Sequence, residues 1–545
     1  MNASSPTFNA RILPLGQIAD ATDANPAPQA GPRSVGLCFS GGGSRALSCA
    51  MGQLRALRYL GLLDQVFASS SVSGGTWANS LFTYLPAGIS DDDFLGEVIL
   101  DPRALSLSVL ERQTPNNLGR VPTRLDPLDI IDTLYQLKET YGYANSDLWQ
   151  GLIGELVLKP YGLWLPGADG FDRRSFSWSE AYLKTAGGPL ARNPGLKVSD
   201  FITVQRQRPF PILNTSLFSS DATDADLMPF EANFMLGVRA NFPANAQQQP
   251  GAIGGGLLES FAMGSTYQGD AAPGLVTTSR PARLYSLSDI AGCSSAAFAQ
   301  LFEEQYPDFK GLVPRYPYWP LQARASQPAL NYRFADGGSL ENLGVNAMLA
   351  RGVPRLIVFV NTDEGISRDP ARRDVILSDD IPPLFGLQPF AAGVGYVPYG
   401  PNQPGEGAAR LYRHNQVFET SAFAELQQKL LAAKNAGGAL MVRQVLKVLP
   451  NSWFDVPAQE SVELLWVYND NVSSWWQQLP FETRAWLDIE SVDDFPLYDT
   501  VTQLYLTPIM VNALAHLACW NLASPSTLGN EGGLSNGQVV QRMFR

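Results

Sequence analysis

Hydrophobic and polar positions along the chain follow two rhythms. Short apolar runs stop at glycine, and longer stretches repeat an apolar residue every three or four positions. Ser34 to Phe39 is the first such run, and Ser40-Gly-Gly-Gly-Ser44 follows it. Leu47, Met51, Leu54, Leu57 and Leu60 then fall at helical spacing across Arg45 to Leu60. Val66 to Ser71 is a second short run, again followed by Gly-Gly and a helix-like stretch from Thr76. Strand, glycine turn and helix, twice over, predict an α/β fold with a central, mostly parallel sheet. The pattern returns at Tyr332 to Ala335, which leads into Asp336-Gly-Gly338. A helical stretch over 340–351 and a buried strand over Pro354 to Val360 come next. Ser421 to Lys434 has amphipathic helical spacing and is stopped by Gly437-Gly438.

Loops are expected at 244–256, 364–384 and 400–407, and no repeat of 20–50 residues is visible. Residues 1–33 predict an irregular leader, and 34–545 a single sheet-centred domain with a long insertion somewhere within about 85–330.

Composition narrows the picture. Hydrophobic residues make up 45% of the 545 and charged ones 17%, the balance of a packed protein. With 49 glycines and 40 prolines, many loops are expected. The net charge is −12 and there is no basic block, which argues against nucleic acid as a partner and against steering onto anionic membranes. Membrane contact would have to use apolar and aromatic side chains. Tyr161, Trp164, Tyr316 to Trp319 and Trp475-Trp476 are candidates, with a place in the core as the alternative. Cys38, Cys49, Cys293 and Cys519 form no metal or redox motif and are expected as reduced core residues. The amino terminus lacks the pattern of a secretory signal, and Val511 to Ala523 is too short and too polar to span a bilayer.

Three glycine-rich strand ends could carry chemistry. In Ser71-Val-Ser-Gly-Gly75, Ser73 sits where a nucleophilic serine would project from a sharp strand-to-helix turn, although a plain turn has the same letters. Ser71 stands where the G-x-S-x-G pattern has its first glycine. The Gly42 and Gly43 amides could receive a carbonyl oxygen as it gains charge. The same segment, Gly41-x-Gly43-x-x-Ala46, also fits a dinucleotide fingerprint, with Asp64 about 20 positions on. On this segment alone the two readings are equal. Asp336-Gly-Gly338 shifts the balance, because a carboxylate at a strand end can take the proton of a serine hydroxyl and a dinucleotide site needs no such group.

SGGGSRA, then SVSGGTW about thirty residues on, then ADGGSLENL, resembles the catalytic domain of cytosolic phospholipase A2 and its patatin-like relatives. ARGVPRLIVFVNTD at 350–363 is similar to the segment that follows in that family. FPILNTSL, FEANF and SDIAGCSSAAFA (288–299) are fainter likenesses. The 263 positions between Ser73 and Asp336 suit the cytosolic branch better than the plant patatins. The resemblance implies a three-layer α/β fold with a cap or lid in the insertion and a Ser73–Asp336 dyad. It also implies an oxyanion hole from Gly42 and Gly43, and Arg45 meeting the substrate phosphate; Arg45 pairing with a carboxylate of the first helix is the other reading.

No metal or cofactor is implied. The expected activity is hydrolysis of phospholipid or lysophospholipid esters, with transacylation or thioester hydrolysis by the same dyad as the nearest alternative. A dinucleotide-binding or catalytically silent protein is the alternative from another class. About 33 residues before the first strand leave no room for a calcium-dependent membrane-binding domain, so recruitment by calcium is not expected. The implied setting is cytoplasmic and peripheral to membranes, or delivery as an effector without a signal peptide. His414 and His516 both follow Asp336, so a Ser–Asp–His triad would have to use one of them; their surroundings favour structural roles.

Overall fold

The computed structural model describes residues 7–16, 34–222, 224–245, 249–489, 494–500 and 503–545. Its centre is a 14-stranded sheet. In chain order the strands are β1 (Thr7–Pro14), β2 (Gly36–Phe39), β3 (Ala68–Val72), β4 (Phe210–Phe218), β5 (Leu227–Ala232), β6 (Met235–Gly237) and β7 (Gly256–Glu259). They continue with β8 (Tyr267–Ala272), β9 (Leu275–Ser279), β10 (Arg315–Tyr318), β11 (Leu330–Ala335), β12 (Arg355–Val360), β13 (Met441–Val448) and β14 (Gln459–Tyr468). The order across the sheet is β8-β9-β1-β7-β6-β5-β4-β3-β2-β12-β14-β13, with β11 joining β4 and β10 pairing β11.

Five central strands, β4, β3, β2, β12 and β14, are parallel, and every other pairing in this sheet is antiparallel. The α/β expectation with a large central sheet holds, and its parallel character is confined to the middle. Each residue of β2 and β3 is buried, as parallel strands covered on both faces require. Antiparallel β1 instead alternates buried and half-buried positions.

That alternation corrects the leader expected over residues 1–33. Thr7–Pro14 pairs with β7 and β9, and its buried Phe8, Ala10 and Ile12 are separated by polar Asn9 and Arg11. Residues 17–33 lie outside the described part. The insertion expected within about 85–330 contains seven strands of the same sheet, so much of it is scaffold.

Helix α1 (Gly43–Tyr59) leaves the glycine turn after β2, and α2 (Ser73–Thr83) leaves β3. Further along are α3 (Leu287–Ser294), α4 (Ala297–Gln305), α5 (Val345–Leu349), α6 (Phe423–Ala436) and α7 (Pro508–Ala523). Of the expected helix at 340–351 only the five residues of α5 are helical, after a short 3-10 turn at Gly337–Ser339. The helix α6 ends at Gly437 with φ 75°, the left-handed cap its glycine foretold. All four cysteines are free and buried. No helix among the described residues is long and apolar enough to cross a membrane.

Candidate active site

The three glycine-rich strand ends meet. Ser73 follows β3 directly, at φ 49°, a left-handed conformation that costs a non-glycine residue energy and is found at nucleophile turns. Its flanking glycines are dictated by contact. A Cβ on Gly74 would stand 2.0 Å from the Gly43 carbonyl oxygen, and one on Gly75 would stand 2.6 Å from that of Ser40. The two loops thus pack backbone against backbone, which no larger side chain permits. Ser71 does not need to be glycine: it lies in the extended strand, and its buried hydroxyl accepts from Thr76 Oγ1 at 3.1 Å and Asn79 Nδ2 at 3.0 Å.

Asp336 directly follows β11 and is 3% exposed, while Ser73 is 5% exposed. Ser73 Oγ donates to Asp336 Oδ2 at 3.0 Å. The other carboxylate oxygen accepts the Gly338 amide at 2.7 Å, and Oδ2 also faces the Ala297 amide at 3.3 Å. Burial pushes this carboxyl up to about 6, against the lowering effect of those three hydrogen bonds. A pKa near neutrality suits a group that must both take and return a proton.

In the glycine loop, the Gly41 amide is held by the carbonyl and side-chain oxygens of Asn342, at 3.0 and 3.2 Å. The next two amides, Gly42 and Gly43, donate no hydrogen bond among the described residues. Gly42 (φ 123°) and Gly43 (φ 51°) both occupy backbone regions that favour glycine. Thr500 Oγ1 donates to the Gly42 carbonyl at 2.6 Å and fixes that peptide.

Arg45 is 3% exposed and closely held. Nε donates to the Asn361 carbonyl at 2.9 Å, Nη1 donates to the Tyr498 carbonyl, and Nη1 pairs with Asp363 at 3.2 Å. Its carboxylate partner comes from the segment after β12, not from the first helix. A cavity of about 290 Å³ joins Ser73, Asp336, Gly42, Gly43 and Arg45, and Asp363, Glu364, Asp379 and Asp380 complete an acidic wall. Burial, reinforced by neighbouring carboxylates, pushes Glu364 and Asp380 up to about 7. A larger opening of about 800 Å³, beside Tyr59, Arg103 and Trp520, contains none of the motif residues.

The dinucleotide reading fails on geometry. Asp64 lies beyond the 17 residues of α1, in the turn that enters β3, at the end of the parallel strands opposite the glycine loop. The histidines are elsewhere too. His516 is buried beside Arg55, 3.3 Å from its guanidinium, and His414 stacks on Trp453 with ring centres 3.6 Å apart. Neither lines the cavity. Of the aromatic candidates, Tyr161, Trp164, Tyr316, Tyr318, Trp319 and Trp475 are core residues.

Sequence reasoning missed Glu341 and Ser294. Glu341, buried within the turn after Asp336, accepts the Leu343 amide at 2.7 Å and the Asn346 amide at 3.2 Å, and its place just before a short helix was the available signal. Ser294 accepts the Ser73 amide at 3.0 Å from a position 221 residues away, which no local pattern reveals.

No protein-family model matches the chain. Human cytosolic phospholipase A2 delta is 36% identical over 117 residues, which are 21% of this chain and 13% of that protein. The mouse protein of the same name is 32% identical over 126 residues, 23% of this chain and 14% of its own length. The likeness is to the cytosolic phospholipase A2 family. It is the same family that the motifs resemble. Among solved structures, human GIVD cytosolic phospholipase A2 aligns with 97% of this chain and 65% of its own, at 12% identity and a TM-score of 0.48. Its complex with methyl gamma-linolenyl fluorophosphonate aligns with 96% and 61%, at 14% identity and a TM-score of 0.42. The matched segments thus span about one seventh of the curated cytosolic phospholipases A2. Among the described residues no cluster of His, Cys, Asp or Glu could hold a metal ion.

Proposed function

We propose that this protein hydrolyses carboxylic esters of phospholipids or lysophospholipids through Ser73 and Asp336. The observation that carries the reading is the 3.0 Å hydrogen bond from Ser73 Oγ to a buried carboxylate, beside two glycine amides with no partner among the described residues. Ser73 Oγ attacks the ester carbonyl as its proton passes to Asp336 Oδ2. The Gly42 and Gly43 amides take the charge on the carbonyl oxygen, helped by the positive end of α1, which they open. Asp336 then returns the proton to the departing alcohol, leaving an acyl group on Ser73. Water attacks that ester, giving its proton to Asp336, and the fatty acid leaves as Ser73 is restored. The named relatives are phospholipases A2, which supports an acyl lipid as substrate.

Among the described residues Arg45 is the one cation on the cavity wall, and its charge is already shared with Asp363. Asp363 and Asp379, with Glu364 and Asp380 partly protonated near neutral pH, still outweigh one guanidinium and favour neutral or zwitterionic lipids over anionic ones, with Arg45 turning from Asp363 toward a phosphate when one arrives. Contact with a lipid surface is brief in this reading, since the charge of −12 gives no attraction to anionic membranes.

The test is lipid mass spectrometry after incubating wild type, Ser73→Ala and Asp336→Asn with mixed membrane lipids. Free fatty acid and lysolipid from wild type alone are expected. Equal release by either variant would remove the assignment.

A further inference from the structure

The junction between α3 and α4 touches both members of the pair. Ser294, the last residue of α3, accepts the Ser73 amide at 3.0 Å. Three residues on, the Ala297 amide that opens α4 points to Asp336 Oδ2 at 3.3 Å. The Ser294 hydroxyl is itself oriented. It has one proton, and the Asn214 carbonyl, 2.6 Å away, can only accept it. A lone pair is therefore left for the Ser73 amide. Thr76 Oγ1 stands 2.9 Å away on the other side. Asn214 lies on β4 opposite Val72, the residue before the nucleophile, so the hydroxyl is braced against the strand paired with the one that leads into Ser73.

Backbone strain gives this contact its importance. At φ 49° the Ser73 amide has left the strand ladder, and a buried amide without an acceptor costs about 1–3 kcal/mol. Without Ser294 Oγ the turn lowers its energy by relaxing toward an ordinary φ, and Ser73 Oγ moves off Asp336. We propose that Ser294 is a positioning residue: its hydroxyl, oriented by the Asn214 carbonyl, holds the Ser73 amide and keeps the strained turn aligned with Asp336. This role rests on Ser73 being the nucleophile.

The test compares wild type, Ser73→Ala, Ser294→Ala, Ser294→Cys and Ser294→Thr on a p-nitrophenyl acyl ester, with kcat, KM, the acidic limb of the pH profile and the melting temperature as readouts. Ser294→Ala should lose roughly 10–100-fold in kcat with KM within about twofold. Its acidic limb should move up, because the Ser73 hydrogen bond that lowers the Asp336 pKa is weakened. Ser294→Thr, which keeps donor and acceptor, should recover most of the rate. If Ser294→Ala does not fold, Ser294→Cys has nearly the same shape and a poor acceptor, and it should show the same lowered kcat. Wild-type kcat with an unmoved limb in the Ala or Cys variant would overturn the role. So would a folded Thr variant as slow as Ala. Turnover by Ser73→Ala equal to wild type is a different failure: it would remove the nucleophile and this role with it.

Discussion

Asp336 and Glu341 sit five positions apart in one turn, both buried, both with carboxyls pushed up by burial, to about 6 and about 7. Glu341 spends its oxygens on backbone amides of the loop that contains it, those of Leu343 and Asn346 among them. Asp336 gives one oxygen to Gly338, and the other faces a serine hydroxyl. A perturbed carboxyl therefore does not by itself mark a base; the chemistry of its partner does. Glu341 shapes the loop, and Asp336 is left able to exchange a proton.

Neutralising each carboxyl in turn separates the two roles. Asp336→Asn should lower kcat/KM by roughly a thousandfold or more, as should Ser73→Ala. Glu341→Gln should cost roughly tenfold or less, with a fall in stability of about 1–3 kcal/mol as amides lose their acceptor. Equal kinetic losses from the two carboxamides would erase the distinction.

Titration sharpens it. The folded state holds the Asp336 proton more tightly than the unfolded chain, whose ordinary value is 3.8. Stability present below about pH 4 is therefore lost as pH rises through about 6, a change of about 3 kcal/mol for a rise of roughly two units. Asp336→Asn escapes that loss, so it should melt above wild type at pH 8 and level with it near pH 4, read by calorimetry. Smaller effects follow. Ser71→Gly, which restores the usual first glycine, should lower stability by about 1 kcal/mol through its lost hydrogen bonds and change kcat less than about threefold. His414→Gln should leave ester turnover unchanged, because its ring packs on Trp453 outside the cavity.

What could be read from the sequence follows the same division. Gly42, Gly43, Gly74 and Gly75 were legible because close backbone approach admits no other residue, and strand, glycine and helix succeed one another within a short stretch of chain. Asp336 was legible as the third member of that set. Its hydrogen bond to Ser73 depends on β11 pairing with β4, which in turn lies beside β3. The antiparallel flank was not legible. The alternation of β1 runs over only five positions, Phe8 to Ile12, and its partners lie more than 200 residues away. Arg45 was placed on the cavity wall, but its Asp363 partner, which follows β12, depends on the parallel pairing of β2 with β12.

The central claim is most directly tested by the rate at which a fluorophosphonate labels Ser73 as a function of pH, with the modified residue located by peptide mass spectrometry. One labelled serine, Ser73, is expected, at a rate that rises as pH passes through about 6 and collapses in Asp336→Asn. Labelling of a different residue, or of Ser73 at the same rate and pH dependence in Asp336→Asn, would contradict it.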